Sequence, residues 1–228
     1  MEKRLPVNQL KRDARLLFGV KLNRDQKDIF TYYYDKLIEW QDKLNLFPPG
    51  AKAHLMTNYF LDSISLLKYL PAQESLRVID IGSGNGCPGI PLKIAVSDLE
   101  LILIESKHKR SLFLEKIKTD LAEVNISGIT VLNERVENVK VEPKADWVVT
   151  RATYRLEDLL KLSQPLLKPN SYLIYYAGED AKDQVKASHS SILNYGYQLK
   201  KVFSYKLPGQ TSLRNLIILQ FLGVESTA

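Results

Sequence analysis

The amino-acid sequence predicts an α/β fold, in which a doubly wound, mainly parallel sheet follows an N-terminal helical segment. The first observation is that short apolar strands alternate with helical segments from Arg77 onward, since strands separated by helices form parallel sheets. The second is the last pair of strand-like segments, 197–207 and 215–221, which are joined through Pro208-Gly209-Gln210 without a helix between them. That pair predicts an antiparallel hairpin at the edge of the sheet.

The N-terminal part predicts two helices. Five apolar residues recur at alternating spacings of three and four and form one stripe on a helix over 7–46: Phe30, Tyr33, Leu37, Trp40 and Leu44. Phe47-Pro48-Pro49-Gly50 ends this helix, because proline and glycine interrupt helices. A second helix is predicted over 58–69. We interpret residues 1–75 as a helical cap that packs on the main domain, residues 76–228.

The main domain begins where the apolar pattern changes to short β-strands. We predict strands at 77–81, 100–105, 129–133, 146–150 and 171–177. Helical segments lie between them, at 88–96, 107–122, 155–167 and 180–195. This alternation places the carboxyl ends of the parallel strands at one edge of the sheet, where such folds bind their ligands.

Composition limits the classes of protein that the chain can belong to. The 228 residues are 45% hydrophobic and 25% charged, as in a soluble globular domain with an accessory segment. No apolar run approaches the roughly 20 residues of a membrane span, and residues 1–6 show no signal peptide. The single Cys87 excludes an internal disulfide and fits a reducing cytoplasm. We also find no metal-ligand spacing, and we expect a cytoplasmic monomer without metal or membrane.

The positive charge is concentrated at the N-terminus. The net charge is +6, and residues 1–27 carry +5 of it, from eight basic and three acidic side chains. A basic segment of this kind suits a polyanion such as a nucleic acid. A solvated helix face is the alternative interpretation.

A glycine-rich turn after the first predicted strand indicates a nucleoside cofactor. Gly82, Gly84 and Gly86 follow the strand that carries Asp80, and glycine lets the backbone pass close to a ligand. The helix that follows begins with Pro88-Gly89, and a helix N-terminus offers free N–H groups to a polar or anionic ligand. About twenty residues on, Glu105 ends a second apolar strand, where an acid can hold both ribose hydroxyls.

The turn leaves two cofactors open. Gly84-x-Gly86-x-x-Gly89 satisfies the dinucleotide fingerprint of NAD enzymes, which is a weak signal alone. Asp80 argues against NAD, because a carboxylate in the site repels a pyrophosphate and accepts from the ammonium of a methionine moiety. The frame Asp80-x-Gly82-x-Gly84-x-Gly86 is also similar to the pattern of methyltransferases that use S-adenosylmethionine (SAM). SAM is therefore the preferred cofactor, and a loop that only turns the chain is the third interpretation.

A longer motif resembles one family. Residues 80–92, Asp-Ile-Gly-Ser-Gly-Asn-Gly-Cys-Pro-Gly-Ile-Pro-Leu, resemble the corresponding stretch of the RsmG (GidB) methyltransferases, which methylate N7 of a guanine in bacterial small-subunit (16S) rRNA. Other segments resemble the family in the same order and extend the likeness over nearly the whole chain: Trp40…Asn45-Leu46, Leu61-Asp62-Ser63, Glu105-Ser106-x-x-Lys109-Arg110-x-x-Phe113-Leu114, Glu134-Arg135-Val136-Glu137, Thr150-Arg151-Ala152 and Leu207-Pro208-Gly209…Arg214.

The resemblance implies a role for each matching residue. In a fold of this type, Gly82, Gly84, Gly86 and the Cys87 backbone would curve under the methionine part of SAM. Asp80 would face its ammonium, and Glu105 would hold the ribose. Val136 and Glu137 would border the adenine. Each acid also has a structural interpretation. Asp80 could cap a helix, Glu105 could be an exposed strand end, and Glu137 could be a solvated acid without a ligand.

Four basic residues complete the predicted site. Arg151 ends the fourth strand and is the predicted catalytic residue, which positions SAM and contacts the guanine; an ion pair with an acid is the alternative. Lys109, Arg110 and Arg214 are candidate RNA ligands, with surface cations or a structural salt bridge as alternatives. No general base is expected, because guanine N7 has a lone pair and no proton to lose.

Departures from the family pattern leave other functions open. Phe47 replaces a threonine, Asn58-Tyr59 replace Arg-His, and Ala177 replaces a lysine. The alternatives are a SAM-dependent methyltransferase of a small molecule or protein, and a SAM- or RNA-binding protein without catalysis. The sequence leaves open which guanine is modified, and whether naked rRNA or the assembled small ribosomal subunit is the substrate.

Overall fold

The computed structural model describes residues 4–69, 75–151 and 154–223. Its centre is a seven-stranded sheet of order β3-β2-β1-β4-β5-β7-β6. The strands are β1 Arg77–Ile81, β2 Glu100–Ile104, β3 Ile129–Leu132, β4 Ala145–Arg151, β5 Leu167–Ala177, β6 Tyr197–Lys206 and β7 Leu213–Phe221. Strands β1 to β5 are parallel, and β7 is antiparallel to both β5 and β6. The predicted α/β class and the C-terminal hairpin are confirmed.

The predicted helix over 7–46 is wrong, because two helices occupy this region. Helix α1 spans Arg4–Phe18 and α2 spans Arg24–Leu44. The chain turns at Gly19, whose φ is 73°. Asn23 then caps α2 in a reciprocal capping box with Gln26, which satisfies N–H groups that a helix start leaves open. The apolar stripe of α2 predicts a helix, but it does not show where that helix begins.

The predicted helix over 58–69 is divided into three short elements. After a 3-10 turn at Ala51–His54, a π-helix spans Met56–Leu61, followed by α3 Asp62–Ile64 and a 3-10 turn Ser65–Lys68. π-helical turns are rare overall and are frequently found at functional sites. This segment packs over the carboxyl ends of the central strands.

The remaining helices follow the predicted order with changed bounds. They are α4 Gly89–Ala95, α5 His108–Ala122, α6 Leu156–Ser163, α7 Ala181–Ala187 and α8 His189–Asn194, with 3-10 turns at Val136–Asn138 and Gln164–Leu166. Helix α6 ends before Pro165, which cannot continue it. The predicted helix over 180–195 is divided at Ser188.

The cap and the sheet share one hydrophobic core. Phe30, Tyr33 and Leu37 of α2 belong to the same buried cluster as Phe113 of α5 and Ile174 of β5. The opposite face of the sheet has its own cluster with α6 and α8. Within the described ranges, no helix is long and apolar enough to cross a membrane. Residues 70–74, just before the predicted boundary between the cap and the main domain, lie outside these ranges. So do Glu2 and Lys3 of the basic N-terminal segment, and Ala152 of the Thr150-Arg151-Ala152 segment.

Candidate functional site

The glycine-rich turn connects β1 to α4 at the carboxyl edge of the sheet. Gly82, Gly84 and Gly86 all have positive φ, of 70°, 55° and 92°. A Cβ on Gly86 would lie 2.6 Å from the Tyr33 hydroxyl oxygen and 2.8 Å from Ile90 Cγ1, whereas one on Gly84 would meet nothing closer than 3.7 Å. Gly86 is therefore required by packing, and Gly84 leaves space above the loop.

Asp80 is completely buried below this turn. Its Oδ2 accepts from the Gly89 N–H at 2.8 Å, at the first residue of α4. Its Oδ1 has no hydrogen-bond partner. Burial raises the pKa of Asp80 to about 7, against the Gly89 hydrogen bond, and the charge of Glu105 raises it further. Asp80 thus caps the helix and keeps one buried acceptor, which a cation or donor can satisfy.

Glu105 holds the turn from the next strand. Its Oε2 accepts from the Gly84 N–H at 2.9 Å and its Oε1 from the Lys107 N–H at 2.7 Å. The side chain lines a cavity of about 270 Å³, together with Gly82, Arg110, Val136 and Tyr154. The cavity lies in the crevice at the carboxyl ends of the strands, where α/β sheets bind nucleosides.

The predicted adenine turn borders this cavity with one of its two residues. Val136 is buried and lines it, whereas Glu137 is exposed in the same 3-10 turn. Burial raises the pKa of Tyr154, and the nearby charge of Glu137 raises it further. Tyr154, which the sequence did not indicate, also lines the cavity and adds an aromatic ring to it.

Arg151, at the end of β4, reaches into the cap. Its Nη2 donates to the Asn58 carbonyl and lies 3.2 Å from Asp62 Oδ2. Its Cζ lies 4.7 Å from the centre of the Tyr59 ring, within the range of a cation–π contact. The ion pair that the sequence left open is therefore present, and its partner belongs to the cap.

Cys87 and the cap fix the far side of the turn. Burial raises the pKa of Cys87 to about 12, and the positive charge of Arg151 opposes this rise. The Cys87 N–H donates to Asn85 Oδ1 at 3.1 Å, and the Tyr33 hydroxyl donates to the Asn85 carbonyl at 2.5 Å. The N–H of Cys87 already has a partner inside the turn.

The three candidate RNA ligands lie in different environments. Lys109 is exposed in the first turn of α5. Arg110 lines the cavity, and its Nη1 lies 3.8 Å from the position of a Cβ on Gly84. Arg214 in β7 has a buried Nε without a hydrogen-bond partner, and its charge lowers the pKa of Tyr59, which burial raises. The structure brings Arg110 to the cavity and Arg214 to the neighbourhood of Tyr59 in the cap, and leaves Lys109 at the surface.

Two departures from the family pattern pack against each other. The rings of Phe47 and Tyr59 are 6.5 Å apart at 60°, and Asn58 has a buried Oδ1 without a partner. Ala177 is buried at the end of β5. The Tyr59 ring therefore contacts Arg151 on one side and Phe47 on another.

Sequence reasoning named Asp62 only as part of the Leu61-Asp62-Ser63 segment, and it missed the contact of this acid with Arg151 and the hydroxyls around it. Asp62 is buried and accepts from the Tyr205 hydroxyl at 2.7 Å, and the Tyr176 hydroxyl donates to the Ser63 carbonyl. The available signal was one acid inside an apolar segment, between Leu61 and Ile64. A buried acid needs a charged or hydrogen-bonding partner.

The fold and the crevice define the class of protein. A methyltransferase from Pyrococcus furiosus superposes with a TM-score of 0.56 at 15% identity and covers 97% of this chain and 98% of its own. Pyrococcus horikoshii TYW2, solved with MeSAdo, gives a TM-score of 0.58 at 16% identity and covers 78% of this chain and 65% of its own. The chain has the Rossmann-like fold of methyltransferases, closed by the antiparallel β5-β7-β6 edge.

The sequence comparisons identify the family. Residues 26–213 match the family GidB, rRNA small subunit methyltransferase G. The protein named ribosomal RNA small subunit methyltransferase G from Carboxydothermus hydrogenoformans is 35% identical over 205 residues, which are 88% of this chain and 86% of that protein. Its namesake from Bacillus subtilis is 31% identical over 206 residues, covering 89% and 85%. The chain belongs to this family and is a methyltransferase. No group of His, Cys, Asp and Glu in the described part of the chain is arranged to hold a metal ion.

Proposed function

We propose that the chain transfers a methyl group from SAM to N7 of a guanine in small-subunit ribosomal RNA. The observation that carries the proposal is the cavity beside the glycine turn, which Glu105 and Val136 line, together with the unpartnered acceptor of Asp80 buried under the same turn. The family relationship and the names of the relatives support ribosomal RNA as the substrate.

The residues present fit a methionine-linked nucleoside. The unpartnered Oδ1 of Asp80 suits an ammonium group, and the cavity beside Glu105 and Val136 suits a ribose and a base. Two archaeal proteins of similar fold were solved in complex with AdoMet and with MeSAdo, which supports SAM over NAD. Bound there, SAM supplies the electrophilic methyl group.

The chain's own task in the reaction is to position the reactants. Guanine N7 carries a lone pair and no proton, so no side chain has to remove one. We assign Arg151 to hydrogen bonds with guanine O6 or with the carboxylate of the cofactor, because a guanidinium stays protonated and cannot act as a base. The rate then depends on holding N7 in line with the methyl group at near-contact distance.

The cap supplies the surface for RNA. Exposed cations of α1, Lys11, Arg12 and Arg15, face solvent, whereas Val7, Leu10, Ala14 and Phe18 are buried. We propose that residues 1–75 dock RNA and that residues 76–228 hold the cofactor. We also propose that Lys109 and Arg214 contact RNA, and that the protein acts as a cytoplasmic monomer.

One experiment tests the function. The purified chain is incubated with SAM carrying a labelled methyl group and with small-subunit RNA, either naked or in the assembled subunit, and the labelled base is mapped. We expect label on N7 of one guanine, and none with Asp80→Ala. Label on another atom or on protein, or SAM binding without transfer to either RNA form, would overturn the proposed function.

A further inference from the structure

The guanidinium of Arg151 is anchored by a buried acid of the cap. Asp62 Oδ2 lies 3.2 Å from Arg151 Nη2, and the side chains are 3% and 17% exposed. A charge-assisted bond at such depth is screened little by water and defines the direction of the planar fork. The Asn58 carbonyl accepts from the same Nη2, so two acceptors fix this end of the group.

The C-terminal hairpin holds the acid in turn. The Tyr205 hydroxyl, in β6, donates to Asp62 Oδ1 at 2.7 Å, and the Ser65 hydroxyl lies 2.9 Å from the same tyrosine oxygen. Burial raises the pKa of Tyr205 far above its usual value, and the negative charge of Asp62 raises it further. The tyrosine therefore stays a proton donor, and each oxygen of Asp62 has a defined partner.

The chain of contacts links three separate parts of the fold. Tyr205 lies in β6, Asp62 in the cap and Arg151 at the carboxyl end of β4. Asp62 and Tyr205 are 143 residues apart in sequence, so local helix formation does not explain the contact. Asp62 also begins α3, directly after the π-helix whose Asn58 and Tyr59 touch Arg151.

We propose that Asp62 is a positioning residue for methyl transfer, which orients Arg151 toward the substrate and is itself held by Tyr205. The inference rests on the proposed function, because Arg151 is placed there at the substrate. Asp62 touches neither reactant in this arrangement. Its effect must therefore act through Arg151, and it must disappear when the guanidinium is absent.

A double-mutant cycle separates positioning from packing. Asp62→Asn keeps the shape and removes the charge, and we expect kcat to fall on the order of tenfold while affinity for the demethylated cofactor stays within about twofold, since misplacement affects the reacting geometry. In an Arg151→Lys background the same substitution should lower kcat by less than about twofold, because residues that act as a unit are not additive. Tyr205→Phe should lower kcat in the same direction and by less.

The chain provides a matched control at Asp120. This buried acid also accepts from a tyrosine hydroxyl, that of Tyr32 at 2.5 Å, and pairs with a cation, Lys116. It lies in α5, outside the crevice. We expect Asp120→Asn to lower the melting temperature about as much as Asp62→Asn does, and Tyr32→Phe about as much as Tyr205→Phe. Both control variants should leave kcat unchanged.

The outcomes distinguish the two proposals. Wild-type protein that fails to methylate small-subunit RNA overturns the proposed function and the positioning role together. An active wild type with full kcat in Asp62→Asn overturns the positioning role alone. The positioning role is also overturned if Asp62→Asn and Arg151→Lys lower kcat by factors that multiply in the double variant, because the acid would then act independently of the guanidinium. Should Asp62→Asn fail to fold, the same cycle is measured with Tyr205→Phe.

Discussion

At the scale of single residues, Arg151 is the side chain on which the proposed chemistry depends most. Its planar fork is bonded to Asp62 and to the Asn58 carbonyl, and it lies over the Tyr59 ring. A lysine keeps the charge but has neither the fork nor its fixed geometry. We expect Arg151→Lys and Arg151→Ala to lower methyl transfer by a similar factor, on the order of 10²-fold or more.

Transfer of labelled methyl to RNA under saturating cofactor measures this loss. Full activity in Arg151→Lys would show that charge alone suffices, and full activity in Arg151→Ala would remove the residue from the site. Arg155→Ala is the control, because this arginine is exposed and pairs only loosely with Glu157, at 3.6 Å.

Asp80 should make cofactor affinity depend on pH. Burial raises its pKa to about 7, and only the charged form attracts an ammonium group. Affinity for SAM should therefore rise with pH and level off above about 8; at pH 6 it should be about tenfold weaker than at the plateau. Calorimetric titration across this range measures the slope, and Asp80→Asn should abolish it. An equal slope in the variant would assign the pH dependence to another group.

The contribution of Asp80 to folding stability has the opposite pH dependence to its contribution to SAM affinity. The folded pKa lies above the unfolded value, so the folded state holds the proton more tightly. Asp80 alone thus lowers the free energy of unfolding as pH rises from about 4 to 7. Stability is reduced in the pH range where the proposed ligand contact is strongest, as is common for groups in binding sites.

At the scale of elements, the glycine turn contains one glycine that packing requires, Gly86, and one that leaves room for a ligand, Gly84. Gly84 has a φ of 55°, and a Cβ there would make only ordinary van der Waals contacts, the nearest at 3.7 Å, so Gly84→Ala should cost roughly 1–2 kcal/mol of stability for the left-handed conformation. Its methyl group would enter the space above the loop, and SAM affinity should fall on the order of tenfold, as overpacking a fitted site does.

Gly86→Ala is the matched comparison for this turn. Its Cβ would lie 2.6 Å from the Tyr33 oxygen and 2.8 Å from Ile90, so this variant should lose more stability than Gly84→Ala. Thermal denaturation and calorimetry on both variants test the distinction. Unchanged cofactor affinity in a folded Gly84→Ala protein would contradict the assignment of the loop.

Helix α1 should contribute to RNA binding through its exposed charges. Deleting the segment would also remove the buried Leu10 and Phe18, so neutralisation is the cleaner test. We expect Lys11→Gln with Arg15→Gln to weaken RNA binding and to reduce the slope of log affinity against log salt by about 0.7–0.9 for each phosphate that the variant no longer neutralises. SAM affinity should stay constant.

The control for α1 carries the same change in charge elsewhere. Lys182 and Lys186 are exposed on α7, and their replacement by glutamine should leave the salt slope closer to that of the wild type. Equal slopes for the two double variants would mean that α1 acts only through the net charge of the protein.

At the scale of the whole molecule, the sheet could be predicted from sequence because its signals are local. Apolar runs such as Leu101–Ile104 and the glycines after Asp80 specify strands and a turn without reference to distant residues. The cap could be predicted only in part. The capping box at Asn23 is a local signal for the start of α2, whereas the contacts of Asn58 and Tyr59 in the π-helix are with Arg151, which lies about ninety residues further on.

The candidate site could also be predicted only in part. The turn, Glu105 and Val136 lie together as their positions after parallel strands require. The anchoring of Arg151 by Asp62 and Tyr205 joins residues from three distant segments. One sequence without aligned relatives carries no signal for such a contact, apart from a single acid in a helical segment that has no other acid.

Helix α2 leaves the ribosome long before its packing partners do. Gln26 donates to the carbonyls of Ile94 and Ala95, and Tyr32 donates to Asp120, over sequence separations of 68, 69 and 88 residues. During synthesis the stripe on α2 meets Phe60 of the π-helix first, whose ring centre lies 5.5 Å from that of Phe30 and 5.1 Å from that of Tyr33. Its contacts with α4 and α5 form only after those helices have emerged. Contacts of such high contact order slow folding and leave the nascent chain prone to aggregation. The cap therefore completes its native packing only together with the sheet domain that it covers.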